Sequence, residues 1–136
     1  MKGFLLDTNI PSELSRPRPE PCVLAWLQAV DERKVYISVI TLGEIRKGCA
    51  LREPGKERAR LERWLDTEVR DWFEDRILFV DNRIAERWGE LEAARQRKGR
   101  PLNTADGLIA ATALVHDLHI VSDFEGIGAS IIDPWR

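Results

Sequence analysis

The chain has 136 residues, the size of one folded domain with one core, and its 43% of apolar residues can fill that core. A formal charge of −2 is the balance of 21 basic and 23 acidic side chains, so it excludes neither an acidic pocket nor a basic patch. Cys22 and Cys49 lie at no metal-ligand spacing and are too few to staple a scaffold; both read as buried, reduced thiols. No apolar run reaches the roughly 18 residues that cross a bilayer. No charged-then-apolar leader precedes Asp7, so the expected place is the cytoplasm, with no membrane partner.

Gly3-Phe-Leu-Leu6 is a short apolar run followed at once by the turn and cap residues Asp7, Thr8 and Asn9, which predicts a buried strand feeding a helix. A proline-rich connector, Arg16 to Pro21, leads to helical spacing from Cys22 to Val30, and a second strand is expected over Val35 to Ser38. Apolar residues at Val39, Leu42, Ile45 and Cys49 predict a helix from Val39 to Arg52 that Pro54-Gly55 stops. Lys56 to Phe73 reads as one helix with a single packed face, and Ile77 to Val80 as a third strand. Asn82 to Lys98 is amphipathic and closes at Gly99 and Pro101; Asn103 or Thr104 can cap a further helix, Ala105 to His116. Strands over His119 to Val121 and Ala129 to Ile132 complete the chain. Such alternation predicts an α/β fold in which helices cover both faces of a mostly parallel sheet, in one domain spanning residues 1–136.

Sites in open parallel sheets form beyond the carboxyl ends of the strands, which is where Asp7 stands. Asp7 can equally be a helix cap, as can Thr8 and Asn9. Asp106 sits in the first turn of its helix, where a carboxylate suits the dipole, but it shares a face with Ile109, Ala110 and Ala113 and so turns toward protein. A carboxylate facing the core needs a partner, of which a metal is one kind. Glu44 is mid-helix, with Lys47 three residues on as an ordinary ion-pair partner. Asp123 fits a plain turn, and Ser38 and Thr41 fit caps of the helix that carries Glu44. His116 and His119 stand beside no Ser, Cys or Lys motif, and no glycine-rich phosphate loop is present.

Three motifs in order, Leu5-Leu-Asp-Thr-Asn9, Ser38-Val-Ile-Thr-Leu-Gly-Glu-Ile-Arg-Lys-Gly48 and Ala105-Asp-Gly-Leu-Ile-Ala-Ala-Thr-Ala113, resemble the PIN-domain family, and within it the VapC and FitB-like toxin branch. Asp133-Pro-Trp135 resembles the same branch. The resemblance implies a three-layer α/β/α fold in which Asp7, Glu44 and Asp106 converge on one pocket, with Thr8, Asn9, Ser38 or Thr41 hydrogen-bonding around it. It departs at the fourth strand, where Val121 runs straight into Ser122-Asp123-Phe124 without the family's usual Thr-Arg-Asn or Thr-Arg-Asp element. Asp123 matches the Asp-Phe position and is carried over as the fourth acid.

Carboxylates brought together repel, and a divalent ion removes that cost; oxygen-only ligands suit Mg²⁺, or Mn²⁺, rather than Zn²⁺. The activity implied is metal-dependent cleavage of RNA by a toxin that a VapB-like antitoxin holds inactive, and a homodimer is expected. Arg95, Arg97, Lys98 and Arg100, with Arg46, Lys47 and Arg52 on the helix of Glu44, are candidate phosphate contacts; a solvated helix face is the plainer reading of both groups. The competing reading from another class is a catalytically silent module of the same fold that binds RNA or protein.

Overall fold

A computed structural model of the chain describes residues 2–123 and 131–135. The first half runs β1 (Gly3–Leu6), α1 (Asn9–Leu14), α2 (Pro21–Ala29), a 3-10 turn (Glu32–Lys34), β2 (Val35–Ser38) and α3 (Val39–Leu51). The second runs α4 (Lys56–Trp64), a π-helical segment (Leu65–Val69), α5 (Arg70–Phe73), β3 (Ile77–Leu78), α6 (Asn82–Arg97), α7 (Thr104–His116), β4 (Leu118–Val121) and β5 (Ile131–Ile132). The strands form one sheet in the order β3-β2-β1-β4-β5, and every pairing among the described residues is parallel.

Strand alternation sorts the core into two layers. Leu6, Val35, Ile37 and Val121 face the helices of the first half and pack with Ile10, Val23, Ile45, Leu61 and Leu65. Leu5, Leu118 and Ile120 face the other way, onto Ile109, Ala110 and Ala113 of α7. The helices change face because the chain walks outward from β1 to β3 and then crosses back to β4. Right-handed crossovers in opposite directions must lie on opposite sides of a sheet. The reversal sits between β1 and β4 in the middle of the sheet, and it leaves a crevice beyond their carboxyl ends.

The three-layer α/β/α expectation holds, with local differences. The expected helix Lys56 to Phe73 is interrupted by a π turn. Leu61, Leu65, Val69 and Phe73 are all buried and recur every four residues, which outruns an α-helical turn of 3.6 residues. The wider π turn keeps them on one side. β3 is shorter than Ile77 to Val80, since Phe79 beyond it is 75% exposed on the edge of the sheet. Of the last strand, Ile131 and Ile132 are seen, while Ala129 and Phe124 lie outside the described residues. Cys49 is buried, but Cys22, in the first turn of α2, faces solvent, so the buried-thiol reading is corrected for that residue.

β1 lies so close to the turn before β2 that a Cβ built on Gly3 would sit 2.4 Å from the backbone oxygen of Lys34. Backbone there cannot rotate away as a side chain would. Gly3→Ala is therefore expected to cost about 1–3 kcal/mol of stability in urea unfolding, and an unchanged midpoint would show that β1 and β2 are less closely set.

Candidate functional site

The first acid is placed by the end of β1. The Asp7 amide donates to the carbonyl of Val121 at 3.0 Å, continuing the β1–β4 ladder by one residue. Its carboxylate accepts from the Thr8 amide and from the Ser122 hydroxyl, each at 2.8 Å. Thr8, not Asp7, occupies the cap position of α1. The capping role thus accounts for only one of the two Asp7 oxygens, and the other is committed across the crevice to β4.

Glu44 rides on α3, which Ser38 starts by accepting the Ile40 amide at 3.0 Å. Ser38 is spent on that cap, so it does not join the acids as expected. Thr41, one turn before Glu44 and fully buried, lies 3.3 Å from the Thr8 hydroxyl, and that hydroxyl donates to Glu44. The ion pair with Lys47 does not form; Glu44 is half-buried and turned toward Thr8.

Asp106 enters from the first turn of α7. Asn103 caps the helix by accepting the Asp106 amide at 2.8 Å, and its own amide donates back to the Asp106 carboxylate at 2.8 Å. Gly107, the next residue, lets α6 approach: a Cβ there would stand 2.8 Å from the indole nitrogen of Trp88. Asp123 is exposed just past β4, and the Asn9 side-chain amide donates to it while lying 3.5 Å from the Ser122 hydroxyl.

Burial is the main force raising the proton affinity of Asp7 above the ordinary value. Its Ser122 and Thr8 hydrogen bonds oppose that rise, and the neighbouring charges of Asp106 and Asp123 add to it. Asp106 is raised likewise, first by burial and then by Glu44. The acids therefore share one electrostatic neighbourhood at the carboxyl edge of the sheet. They do not form the closed cluster expected: among the described residues no three His, Cys, Asp or Glu side chains stand near enough to hold an ion. The reason is visible in the hydrogen bonds, since each acid is turned to a donor of its own.

In kind, the donor set fits a hard divalent cation, because it is all oxygen and carries more negative charge than its surroundings balance. The side-chain oxygen of Asn9 is buried and accepts no hydrogen bond, which adds an uncommitted oxygen beside the acids. Sequence reasoning missed Ser122, which is fully buried and holds Asp7 in place; the signal available was a hydroxyl directly after a buried strand. It also read Asn103 only as a cap.

The basic candidates divide. Arg46 is committed to Asp66, with Glu62 at 4.0 Å, so it is not a free phosphate contact. Lys47 is exposed. Arg95, Arg97, Lys98 and Arg100 end α6 and its turn into α7, so they lie at the Asp106 end of the molecule, and Arg97, Lys98 and Arg100 are exposed.

The raised proton affinity of Asp7 has a defined sign in stability. The folded chain holds this proton more tightly than the unfolded chain, so the contribution is full below the ordinary value of 3.8 and is lost as pH rises through the raised folded value. In metal-free buffer the stability of the chain relative to Asp7→Asn should fall as pH rises from about 4 through the raised folded value. Paired urea titrations check this, and a difference that is flat or rises with pH would contradict it.

The PIN domain family model matches residues 4–125. The VapC ribonuclease Y4jK of Sinorhizobium fredii is 37% identical over 98% of this chain and 98% of its own length. The crystal structure of FitAcB from Neisseria gonorrhoeae superposes with a TM-score of 0.89 at 35% identity, covering 97% of this chain and 98% of that one. A toxin-antitoxin complex from Klebsiella pneumoniae gives a TM-score of 0.68 at 28% identity, covering 97% and 98%. With fold and sequence in agreement, the chain belongs to the PIN-domain family.

Proposed function

We propose that the chain is an endoribonuclease toxin of the VapC type, which hydrolyses RNA phosphodiester bonds with a divalent cation and is silenced by a cognate VapB-like antitoxin. The observation that carries the reading is that Asp7 and Asp106 feel each other's charge at the carboxyl edge of the sheet. Both are held partly away from water and both are raised in proton affinity by burial, with Glu44 and Asp123 alongside. Carboxylates kept in that condition cost stability, which is a reason to expect a charged ligand there. The ribonuclease relative and the toxin-antitoxin complex of the same fold support the substrate and the partner.

Once their side chains turn from their present hydrogen bonds toward one another, Asp7 and Asp106, with Glu44 and Asp123, would hold Mg²⁺ or Mn²⁺. Bound there, such an ion supplies charge to the scissile phosphate and makes water a stronger nucleophile. The chain's own part is orientation. The Ser122 hydroxyl fixes one Asp7 oxygen, the Thr8 hydroxyl steers Glu44 with Thr41 behind it, and the Asn103 amide fixes Asp106. Asn9 ties Asp123 to the same group. Burial strengthens each of these contacts, because fewer water dipoles oppose them.

An antitoxin would silence the site by offering Arg to these acids, a charge-assisted contact that displaces the metal's role as counter-charge. A homodimer is part of the proposal, and the exposed Leu51 and Phe79 are apolar side chains that a second copy would cover. The spacing of the acids favours one other reading, a silent module whose carboxylates are satisfied by their own hydrogen bonds. Among the described residues no helix is long and apolar enough to cross a membrane.

The test is cleavage of a mixed single-stranded RNA by the antitoxin-free chain with Mg²⁺, Mn²⁺ or EDTA. Cleavage should need the cation and should vanish in Asp7→Asn and Asp106→Asn, both still folded. Ser122→Ala, which only frees Asp7 to turn, should lose about 10- to 100-fold. Cleavage that survives EDTA or both acid substitutions would overturn the mechanism, and no cleavage with no bound metal would favour the silent module.

A further inference from the structure

Glu44 belongs to the acid site, yet it also lines a cavity of about 270 Å³ between α1, α3 and α4, together with Ser15, Arg16, Arg52 and Trp64. A second cavity, of about 550 Å³, is lined by Ser15, Arg16, Arg60, Arg63 and Trp64. The two share Ser15, Arg16 and Trp64, so they form one trough that begins at Glu44, passes the indole and continues between α1 and α4. Four guanidinium groups and two carboxylates, Glu44 at its start and Glu68, border it. Arg16 is tied to Glu13 and Arg60 to Glu57, but the side chains of Arg52 and Arg63 are in no salt bridge among the described residues. Trp64 packs part of its ring on the core and stands half-buried at the junction.

We propose that this trough carries the single-stranded stretch of RNA adjoining the scissile phosphate, with Arg52 and Arg63 on its phosphates and a base against Trp64. The inference rests on the ribonuclease reading. An acidic site repels a polyanion, so affinity must come from cations next to it rather than within it. A groove that pairs an aromatic platform with two arginines outside any salt bridge among the described residues suits unpaired nucleotides, whose bases are free to stack, and not a duplex, whose bases are not. Arg52 belongs to the basic group expected on the helix of Glu44, Arg63 to neither expected group, and neither residue lies in the stretch at the end of α6. The trough therefore gives the RNA a path on the opposite helical layer.

The experiment uses the full chain carrying Asp7→Asn, so that RNA is bound but not cut, with Mg²⁺ present. Anisotropy of a fluorescein-labelled single-stranded RNA is followed across a salt series. Arg52→Gln with Arg63→Gln should weaken binding about tenfold and lower the log–log salt slope by about 1.4, the loss of two phosphate contacts. Trp64→Phe should retain affinity and Trp64→Leu should lose it, while Arg33→Gln, in the turn before β2, should change nothing. Unchanged affinity and slope in the double arginine variant would overturn the path and leave the trough to a protein occupant. If the chain without Asp7→Asn cuts RNA while that result holds, the ribonuclease reading stands without the trough; if it neither binds nor cuts RNA, both fall.

Discussion

The carboxylates at the carboxyl edge of the sheet are the constraint on which the rest of the structure turns. Asp7 is half-buried where the β1–β4 pairing that makes the middle of the sheet ends, so its charge is held partly away from water. Asp106 at the start of α7 and Asp123 just past β4 come into its field, and Glu44, on the second turn of α3, comes into that of Asp106. Parallel topology makes this possible. Helices that leave the carboxyl ends of strands, or return to them, must pass the crevice where the chain reverses direction across the sheet.

The hydrogen bonds around the acids show how such a charge is carried. Every acid has a neutral side-chain donor, a hydroxyl or an amide, to which Asp7 adds the Thr8 backbone amide, and none is paired with Lys or Arg in a salt bridge among the described residues. The basic side chains nearby point to other tasks: Arg46 is bound to Asp66 and Arg60 to Glu57. Neutral donors orient a carboxylate without cancelling it, which leaves the charge available to a cation, whether that is a metal ion or the guanidinium of a partner protein. One arrangement can thus serve activity and its inhibition.

Much of this was legible in the sequence, for identifiable reasons. β1 and β2 were readable because short apolar runs end at cap residues, and α7 because Asn103 precedes an apolar helix. The identity of three acids came from ordered motifs rather than from periodicity, since Asp7, Glu44 and Asp106 each had an ordinary structural use. What the pattern hid was tertiary. Ser38 is committed to a cap that spacing could not tell from a site role, and Ser122 acquires its role only when β4 lies beside β1. The π turn was visible as a four-residue recurrence from Leu61 to Phe73, but a helical reading absorbs that pattern as a broad face. Arg46 looked free because its partners lie 16 and 20 residues away, on α4 and the π segment (Glu62, Asp66).

The claim at the centre is that these carboxylates are balanced by a divalent cation, and direct binding tests it without reference to any substrate. Electron paramagnetic resonance of Mn²⁺ titrated into the antitoxin-free chain should show binding that Mg²⁺ displaces and that is lost in Asp7→Asn and in Asp106→Asn. Binding that persists undiminished in both variants, or no binding by the folded chain, would contradict the account.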